Sequence, residues 1–286
     1  MTQTRIEPIQ ESDLPEIGRF LHANLNKRFS PEAWIQSLTH PWSESRPNFG
    51  VQMRAGDRLV GVFCAIYSDQ FVAGTLEKFC NPHSWCVLEE YRGQSINLVL
   101  ALVRQRGYHF SMLTPNPKVA EIFRHFKFKD LEKTIVVLPH WRWLFAWPFK
   151  CVAESDRQKI EGLLPPETRR TFVLHRDIPW LRFFAFGRGD RICLVAFKVG
   201  RWKRLRCANI IYISDAKAFR QDADILQRYL VLRLAIPISK VEARFLDQPP
   251  LLAYRMLRTQ GKLFLSATLK DAQIQDLFTE LASLDV

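Results

Sequence analysis

Residues 85–98 read WCVLEEYRGQSINL, in which a strand pattern runs into a tight turn and then directly into a helix. The apolar run before Glu89 is typical of a strand, Gly93 marks the turn, and helical spacing predicts a helix over 94–106 that ends before Gly107. A helix that starts at once after a strand leaves backbone N–H groups without partners, and its dipole adds about half a positive charge there. The junction is therefore predicted to bind a pyrophosphate group.

The segments on either side of this junction alternate between strand and helix patterns. Strands are predicted over 5–10, 49–54, 59–67, 110–113 and 134–138 and within 76–88, and helices over 12–25, after 30, over 94–106 and over 118–126. The resulting order, β-α-α-β-β-β-α-β-α-β, predicts an α/β fold with a mixed sheet and helices on its faces.

The junction resembles the coenzyme A loop of the GNAT superfamily of N-acyltransferases, which reads Arg/Gln-x-x-Gly-x-Gly/Ala after a strand containing a valine. Val87 and Arg92 stand at the matching spacing, while Ser95 and Asn97 replace the two glycines of the motif. Ser and Asn are small and can donate hydrogen bonds, although glycine leaves more room for phosphates to approach the backbone. The resemblance implies that acyl-CoA is bound by Val87, Leu88, Arg92, Gly93, Gln94, Ser95, Ile96 and Asn97.

A second segment, residues 116–128, resembles the later Asn-x-x-Ala…Tyr…Gly-Phe segment of the same superfamily. Asn116 falls on the Asn, Phe123 on the Tyr, Lys127 on the Gly and Phe128 on the Phe. In the family the Asn helps to hold the pantetheine arm and the Tyr often protonates the leaving thiolate. Asn116 and Phe123 are therefore expected beside the cofactor, where Phe123 cannot donate a proton. The resemblance extends over about residues 5–138 and implies a GNAT-like fold.

The resemblance implies that an acetyl or other acyl group moves from acyl-CoA to an amine, which attacks the thioester directly within a ternary complex. An amino sugar, an amino acid and a polyamine all fit as acceptor, and the thioester carbonyl is expected near Val87–Leu88. Candidates for the general base are Glu77, His83 and Glu89. Each also has an ordinary structural interpretation, namely an exposed strand carboxylate, a surface histidine and a carboxylate that caps the turn.

Two other hypotheses remain open at this stage. The domain could be a non-catalytic GNAT-like binding or scaffold module, and Ser95, Asn97 and Phe123 favour that view. Alternatively, an acyltransferase could take its acyl group from acyl carrier protein. That acidic donor suits the second half, where residues 150–286 hold 24 Lys and Arg against 15 Asp and Glu, while residues 1–149 hold 17 against 14.

The sequence predicts two domains. Residues 1–139 form the GNAT-like domain, and residues 151–286 a second α/β domain, in which the same general fold is faintly visible without a cofactor motif. A closing amphipathic helix is expected over 271–284. Between the domains, residues 140–150 read HWRWLFAWPFK and are interpreted as an apolar strap packed between the two domains through Trp141, Trp143 and Trp147. Contact of this strap with a membrane surface is the second interpretation.

Composition excludes several classes of protein. No apolar run approaches the roughly 18–20 residues that span a bilayer, and the N-terminus lacks the apolar region of a secretory signal, so a cytoplasmic location is expected. The six scattered cysteines show no zinc spacing, and no metal is predicted. The basic run at 201–206 is interpreted as a solvated turn between strands rather than as a nucleic-acid site.

Overall fold

The computed structural model describes residues 3–141, 144, 151–248 and 253–285. The chain divides into two compact units, the first comprising 1–130, 262–274 and 278–286 and the second 131–261 and 275–277. The division differs from the expected boundaries at 139 and 151. Residues 131–139 join the second unit, and most of the chain beyond 261 returns to the first.

The first unit contains one sheet and five α-helices among its described residues. Its strands are β1 (Thr4–Pro8), β2 (Gly50–Ala55), β3 (Arg58–Val72), β4 (Thr75–Val87), β5 (His109–Met112), β6 (Lys129–Asp130) and β14 (Leu263–Leu265), and its helices are α1 (Leu14–Asn24), α2 (Pro31–Leu38), α3 (Ile96–Val103), α4 (Pro117–His125) and α8 (Glu280–Ser283). The strand order is β1-β2-β3-β4-β5-β14-β6. Only β4 and β5 run parallel, and the other neighbours are antiparallel.

The second unit contains a sheet of the same size. Its strands are β7 (Thr134–Pro139), β8 (Val152–Glu154), β9 (Arg182–Gly187), β10 (Cys193–Trp202), β11 (Leu205–Ile213), β12 (Ile238–Glu242) and β13 (Tyr254–Leu257), and its helices are α5 (Arg157–Leu163), α6 (Pro166–His175) and α7 (Ala216–Leu234). The basic run at 201–206 forms the β10–β11 hairpin, where Lys203 and Arg204 have positive φ. Its interpretation as a turn between strands is confirmed.

The two sheets have the same architecture. Read as β8-β9-β10-β11-β12-β7-β13, the second sheet repeats the order of the first, with its single parallel pair, β11 and β12, at the same place. The strands at the sixth position come from distant parts of the chain. In the second sheet this strand is β7, which precedes all the other strands of that sheet, and in the first sheet it is β14, which follows all the strands of the second sheet. The last strand expected for the first domain, 134–138, therefore belongs to the second sheet.

Two predicted helices are shorter in the structure. The helix expected over 94–106 is α3, and a 3-10 helix at Glu89–Gln94 precedes it. The closing helix expected over 271–284 is reduced to α8, with a 3-10 turn at Asp271–Gln273. Between these two, Ile274, Leu277 and Phe278 are at most 3% exposed, so tertiary burial outweighs the helical pattern there.

Of the predicted strap, Trp141 is 36% and Leu144 64% exposed, whereas Trp143 and Trp147 lie outside the described residues. The packing expected of the strap therefore stays a prediction. All six cysteines are described and are free thiols. No described helix combines the length and the apolar character that crossing a membrane requires.

Candidate functional site

The strands β4 and β5 pair over only two residues before they separate. Phe79 pairs with His109 and Cys80 with Phe110. Beyond Cys80, β4 pairs with β3 alone among the described strands, and β5 pairs with β14 on its other side. At the point of separation the side-chain amide of Asn81 donates to the carbonyl of Ser111, at 2.7 Å. A wedge-shaped opening therefore begins at Asn81, next to an unpaired edge of β4.

A β-bulge interrupts β4 beside this opening. The register against β3 shifts between Phe63 and Cys64, and Ser84 is left unpaired with φ of 55°. Across β3 the backbone is close-packed, since a Cβ on Gly50 would lie 2.3 Å from the carbonyl oxygen of Phe63, and Gly50 itself has φ of 112°. Only glycine fits there without strain. The bulge re-aims the end of β4 toward the junction with α3.

The predicted pyrophosphate junction is present as strand, turn and helix. Nothing lies within 4 Å of a Cβ built on Gly93, so the backbone there is open to a ligand. The Arg92 side chain is 66% exposed and its guanidinium lies 2.6 Å from the Glu89 carboxylate, while Glu90 is paired with Arg58. Arginines thus neutralise both acids of the turn.

The 3-10 helix uses part of the backbone that was expected to face a ligand. The N–H of Ser95 donates to Arg92 O at 3.1 Å, and the N–H of Tyr91 donates to Leu88 O at 2.9 Å. The hydroxyl of Ser95 makes no capping bond to α3, and Gln94 accepts a hydrogen bond from Thr4 instead of facing the turn. Ile96 and Asn97 are exposed in the first turn of α3.

The expectation for the thioester carbonyl needs one correction. The N–H of Leu88 donates to the carbonyl of Val60 at 2.9 Å, so it is not available to a thioester. The free edge of β4 lies earlier, between residues 81 and 87, with Val87 at its end.

Asn116 and Phe123, both expected beside the cofactor, have different surroundings in the structure. Asn116 caps α4, because its side-chain oxygen accepts from the N–H of Val119 at 2.9 Å. Its amide nitrogen can still donate to a ligand. Phe123 is fully buried and packs against Phe63 and Phe128, so in this state it belongs to the hydrophobic core.

The predicted bases are not brought together. Glu77 lies four residues before Asn81, about 13 Å along the strand, and is held 3.1 Å from His109. Glu89 is 76% exposed in the turn and paired with Arg92. His83 lies beside the opening, but it is 6% exposed instead of the expected surface histidine, and burial lowers its pKa to about 3. A neutral imidazole with so low a pKa accepts protons poorly.

A carboxyl group that the sequence analysis missed lies at the opening itself. Glu280, in α8, accepts a hydrogen bond from the Thr114 hydroxyl at 2.8 Å, and its backbone N–H donates to the Asn81 side chain at 3.1 Å. Its side chain is buried, and burial raises its pKa. No local pattern could have revealed this residue, because it lies 199 positions from Asn81 and 166 from Thr114.

The corresponding junction of the second unit carries an acid at the start of its helix. There β11, the fourth strand, leads into α7, and the Asp215 side chain accepts from the N–H of Ala218 at 2.9 Å. Arg191 lies 3.4 Å from the same carboxylate. A carboxylate at a helix N-terminus occupies the place that an anionic ligand would take.

Two cavities in the described parts lie away from the opening, and a third, of about 410 Å³, lies beside Arg191 and Asp215 in the second unit. In the second unit a cavity of about 840 Å³ is lined by Phe184, Arg188 and Tyr229, and in the first unit one of about 480 Å³ lies beside Val51, Gln105 and Tyr108. None of the three includes a predicted cofactor residue. The described residues contain no group of His, Cys, Asp or Glu that could hold a metal ion.

Solved structures with a similar backbone include N-acetyltransferases. A GCN5-related N-acetyltransferase from Anabaena variabilis ATCC 29413 superposes with a TM-score of 0.59 at 11% identity, over 92% of this chain and 72% of that one. A probable N-acyltransferase of unknown function from Enterococcus faecalis V583 gives 0.63 at 10% identity, over 94% and 74%. The fold is GNAT-like.

A third GNAT structure, the GCN5-related N-acetyltransferase from Kribbella flavida, gives a TM-score of 0.56 at 13% identity, over 92% of this chain and 71% of that one. No protein-family model matches the sequence, and no curated protein sequence matches it. The GNAT-like fold is thus visible in the similarity of three-dimensional structure and not in the similarity of sequence.

Proposed function

We propose that the first unit is an acyl-CoA-dependent N-acyltransferase, which moves an acetyl or other acyl group from coenzyme A to an amine. The observation that carries the proposal is the separation of β4 from β5 at Asn81, directly upstream of the Arg92-Gly93 turn and α3. Amino sugars, amino acids and polyamines are the proposed acceptor classes, with acyl carrier protein as an alternative donor.

The residues of the junction fit a phosphate-bearing cofactor. Arg92 supplies an exposed guanidinium, Gly93 leaves the backbone open, and the first turn of α3 contributes the helix dipole. Asn116 has a side-chain amide free to donate to the pantetheine arm. Acyl-CoA, when bound, supplies the activated thioester, and the chain has to orient that thioester and leave the amine unprotonated.

One observation favours the alternative of a non-catalytic module. The 3-10 turn satisfies the N–H groups of Tyr91 and Ser95 internally, so these two groups would have to exchange partners on binding a pyrophosphate. Replacement of the motif glycines by Ser95 and Asn97 points the same way. Binding of the donor therefore decides between the two functions.

The test measures the thermal stability of the full chain with coenzyme A and with acetyl-CoA. Binding to the folded state adds about 2.7 kcal/mol at a hundredfold excess over Kd. Ser95→Leu should abolish this gain, because the larger side chain covers the start of α3. Lys217→Leu is the matched control, at an exposed position in the first turn of α7. Full affinity in Ser95→Leu would place the cofactor elsewhere, and no binding by the wild-type chain would favour the non-catalytic module.

A further inference from the structure

Glu280 is tied to both strands that border the opening. The hydroxyl of Thr114, two residues beyond β5, donates to its Oε1 at 2.8 Å, and its own N–H donates to Asn81 on β4 at 3.1 Å. The amide of Asn81 in turn bridges to β5 at Ser111. The carboxyl group is thereby fixed at the place where β4 and β5 part.

The second oxygen of this carboxyl group has no structural role that the described residues account for. Glu280 is 3% exposed, and its Oε2 accepts no hydrogen bond from any described residue. Buried polar atoms are nearly always hydrogen-bonded, so one that is not calls for a functional explanation.

The chemical environment suits a proton acceptor. Burial raises the pKa of Glu280 above its usual range, while Thr114, Asn81 and the charge of Lys262 oppose that rise. A carboxylate with a raised pKa is a stronger base than one in water. Lys262 is the charged side chain that acts on this carboxyl group.

A further unpaired polar atom lies on the same strand. The Nε2 of His83 is buried without a partner among the described residues, and His83 stands two positions after Asn81 on the same face of β4. Its Nδ1 contacts the Ser84 hydroxyl at 2.8 Å, within the bulge. Beside the opening, a carboxylate oxygen and an imidazole nitrogen are thus buried without a partner among the described residues, a pair whose chemistry suits a primary amine with several N–H donors.

We propose that Glu280 is the general base of acyl transfer, with His83 positioning the acceptor amine. This inference rests on the proposed function of the first unit. The lone pair of the amine nitrogen forms the bond to the thioester carbonyl carbon, and the C–S electron pair departs with the coenzyme A thiolate. The nitrogen proton passes to Oε2 of Glu280.

The main test compares the wild-type chain with Glu280→Gln, which keeps the shape of the side chain and its contact with Thr114. Acetyl-CoA binding is measured by calorimetry, and transfer to a panel of primary amines by thiol release. We expect Glu280→Gln to bind acetyl-CoA with unchanged affinity and to lose about 10²–10⁴-fold in kcat, with KM for acetyl-CoA within threefold. A kcat within twofold of wild type would overturn the inference and leave the proposed function intact.

A second variant keeps the inference testable if Glu280→Gln does not fold. The Thr114 hydrogen bond lowers the pKa of Glu280, so Thr114→Val should move the acid limb of the kcat–pH profile to higher pH. A purely structural Glu280 would leave that limb in place, which would overturn the inference. If the wild-type chain neither binds acetyl-CoA nor transfers acetyl, the proposed function fails, and the role of Glu280 fails with it.

Discussion

At the residue scale, two buried histidines, His83 and His140, and the partly buried His40 link burial to stability in acid. Burial lowers the pKa of His83 to about 3 and the pKa values of His40 and His140 to about 4. His140 nevertheless has both ring nitrogens in hydrogen-bond contact, with Ile236 O at 2.8 Å and Ser239 Oγ at 3.1 Å. The folded chain therefore holds these imidazoles neutral at a pH where the unfolded chain protonates them.

The first prediction follows from that difference. Above pH 6.5 both states are neutral and the histidines do not affect stability, whereas between 6.5 and about 4 only the unfolded state takes up the protons. Each histidine then lowers the free energy of unfolding by about 1.4 kcal/mol per pH unit. In His83→Gln the chain should take up about one proton fewer on unfolding, so the free energy of unfolding should depend less steeply on pH. The slope is measured by denaturant unfolding at pH 7, 6 and 5. The exposed His125→Gln is the control, and an unaltered slope in His83→Gln would contradict the expectation.

The surroundings of a residue could be predicted from the sequence where they depend only on its neighbours along the chain. The strand-to-helix junction at 85–98 and the helix expected over 118–126 follow from short patterns, and both are present. The burial of His83 was not predictable, because its face depends on the register with β3 and on the bulge at Ser84. Glu280 was out of reach, because only the folded chain brings it to Asn81 and Thr114.

At the element scale, the positions of most strands could be predicted from the sequence, whereas the strands with which they pair could not. The β-branched run at 134–138 reads as a strand, and it is a strand in the structure. Strand periodicity carries no information about which sheet a strand joins, and pairing between distant segments depends on the whole chain. Assigning the 134–138 strand to the first domain, by sequence proximity, was therefore wrong.

The exchange of strands yields a prediction about fragments. A fragment of residues 1–139 contains β7 but lacks β14, which lies between β5 and β6. Losing the burial of Leu263 and Phe264 costs about 3–6 kcal/mol at roughly 1.5–3 kcal/mol per side chain, a large share of a typical total stability. We expect the fragment to show no cooperative thermal transition and to gain one when a peptide of residues 259–285 is added.

The matched control is the same peptide with Leu263→Asp, because Leu263 is fully buried and a carboxylate there would be left without water. Restoration by the altered peptide would show that β14 contributes little through its side chains. A cooperative transition in the fragment alone would mean that the first sheet closes without the exchanged strand.

At the scale of the whole molecule, two sheets with the same strand order differ in the charge at their strand-to-helix junctions, β4 to α3 and β11 to α7. The first has an open glycine and an exposed arginine before α3, whereas the second has Asp215 at the start of α7, bonded to Ala218 N–H and paired with Arg191. The same backbone can thus offer an anion site in one unit and exclude anions in the other. The positive charge of the second half, 24 Lys and Arg against 15 Asp and Glu, does not reverse this local effect.

The unequal junctions predict how many donor molecules the chain binds. A pyrophosphate at α7 would meet the Asp215 carboxylate within the helix N-terminus, where like charges repel and the N–H of Ala218 is already used. We therefore expect one acetyl-CoA per chain in calorimetric titration. Asp215→Ser keeps a capping oxygen and removes the charge, so it should leave that stoichiometry and affinity unchanged, while Ser95→Leu should reduce binding to none. Two molecules bound per chain, or residual binding in Ser95→Leu that Asp215→Ser alters, would place a donor site in the second unit.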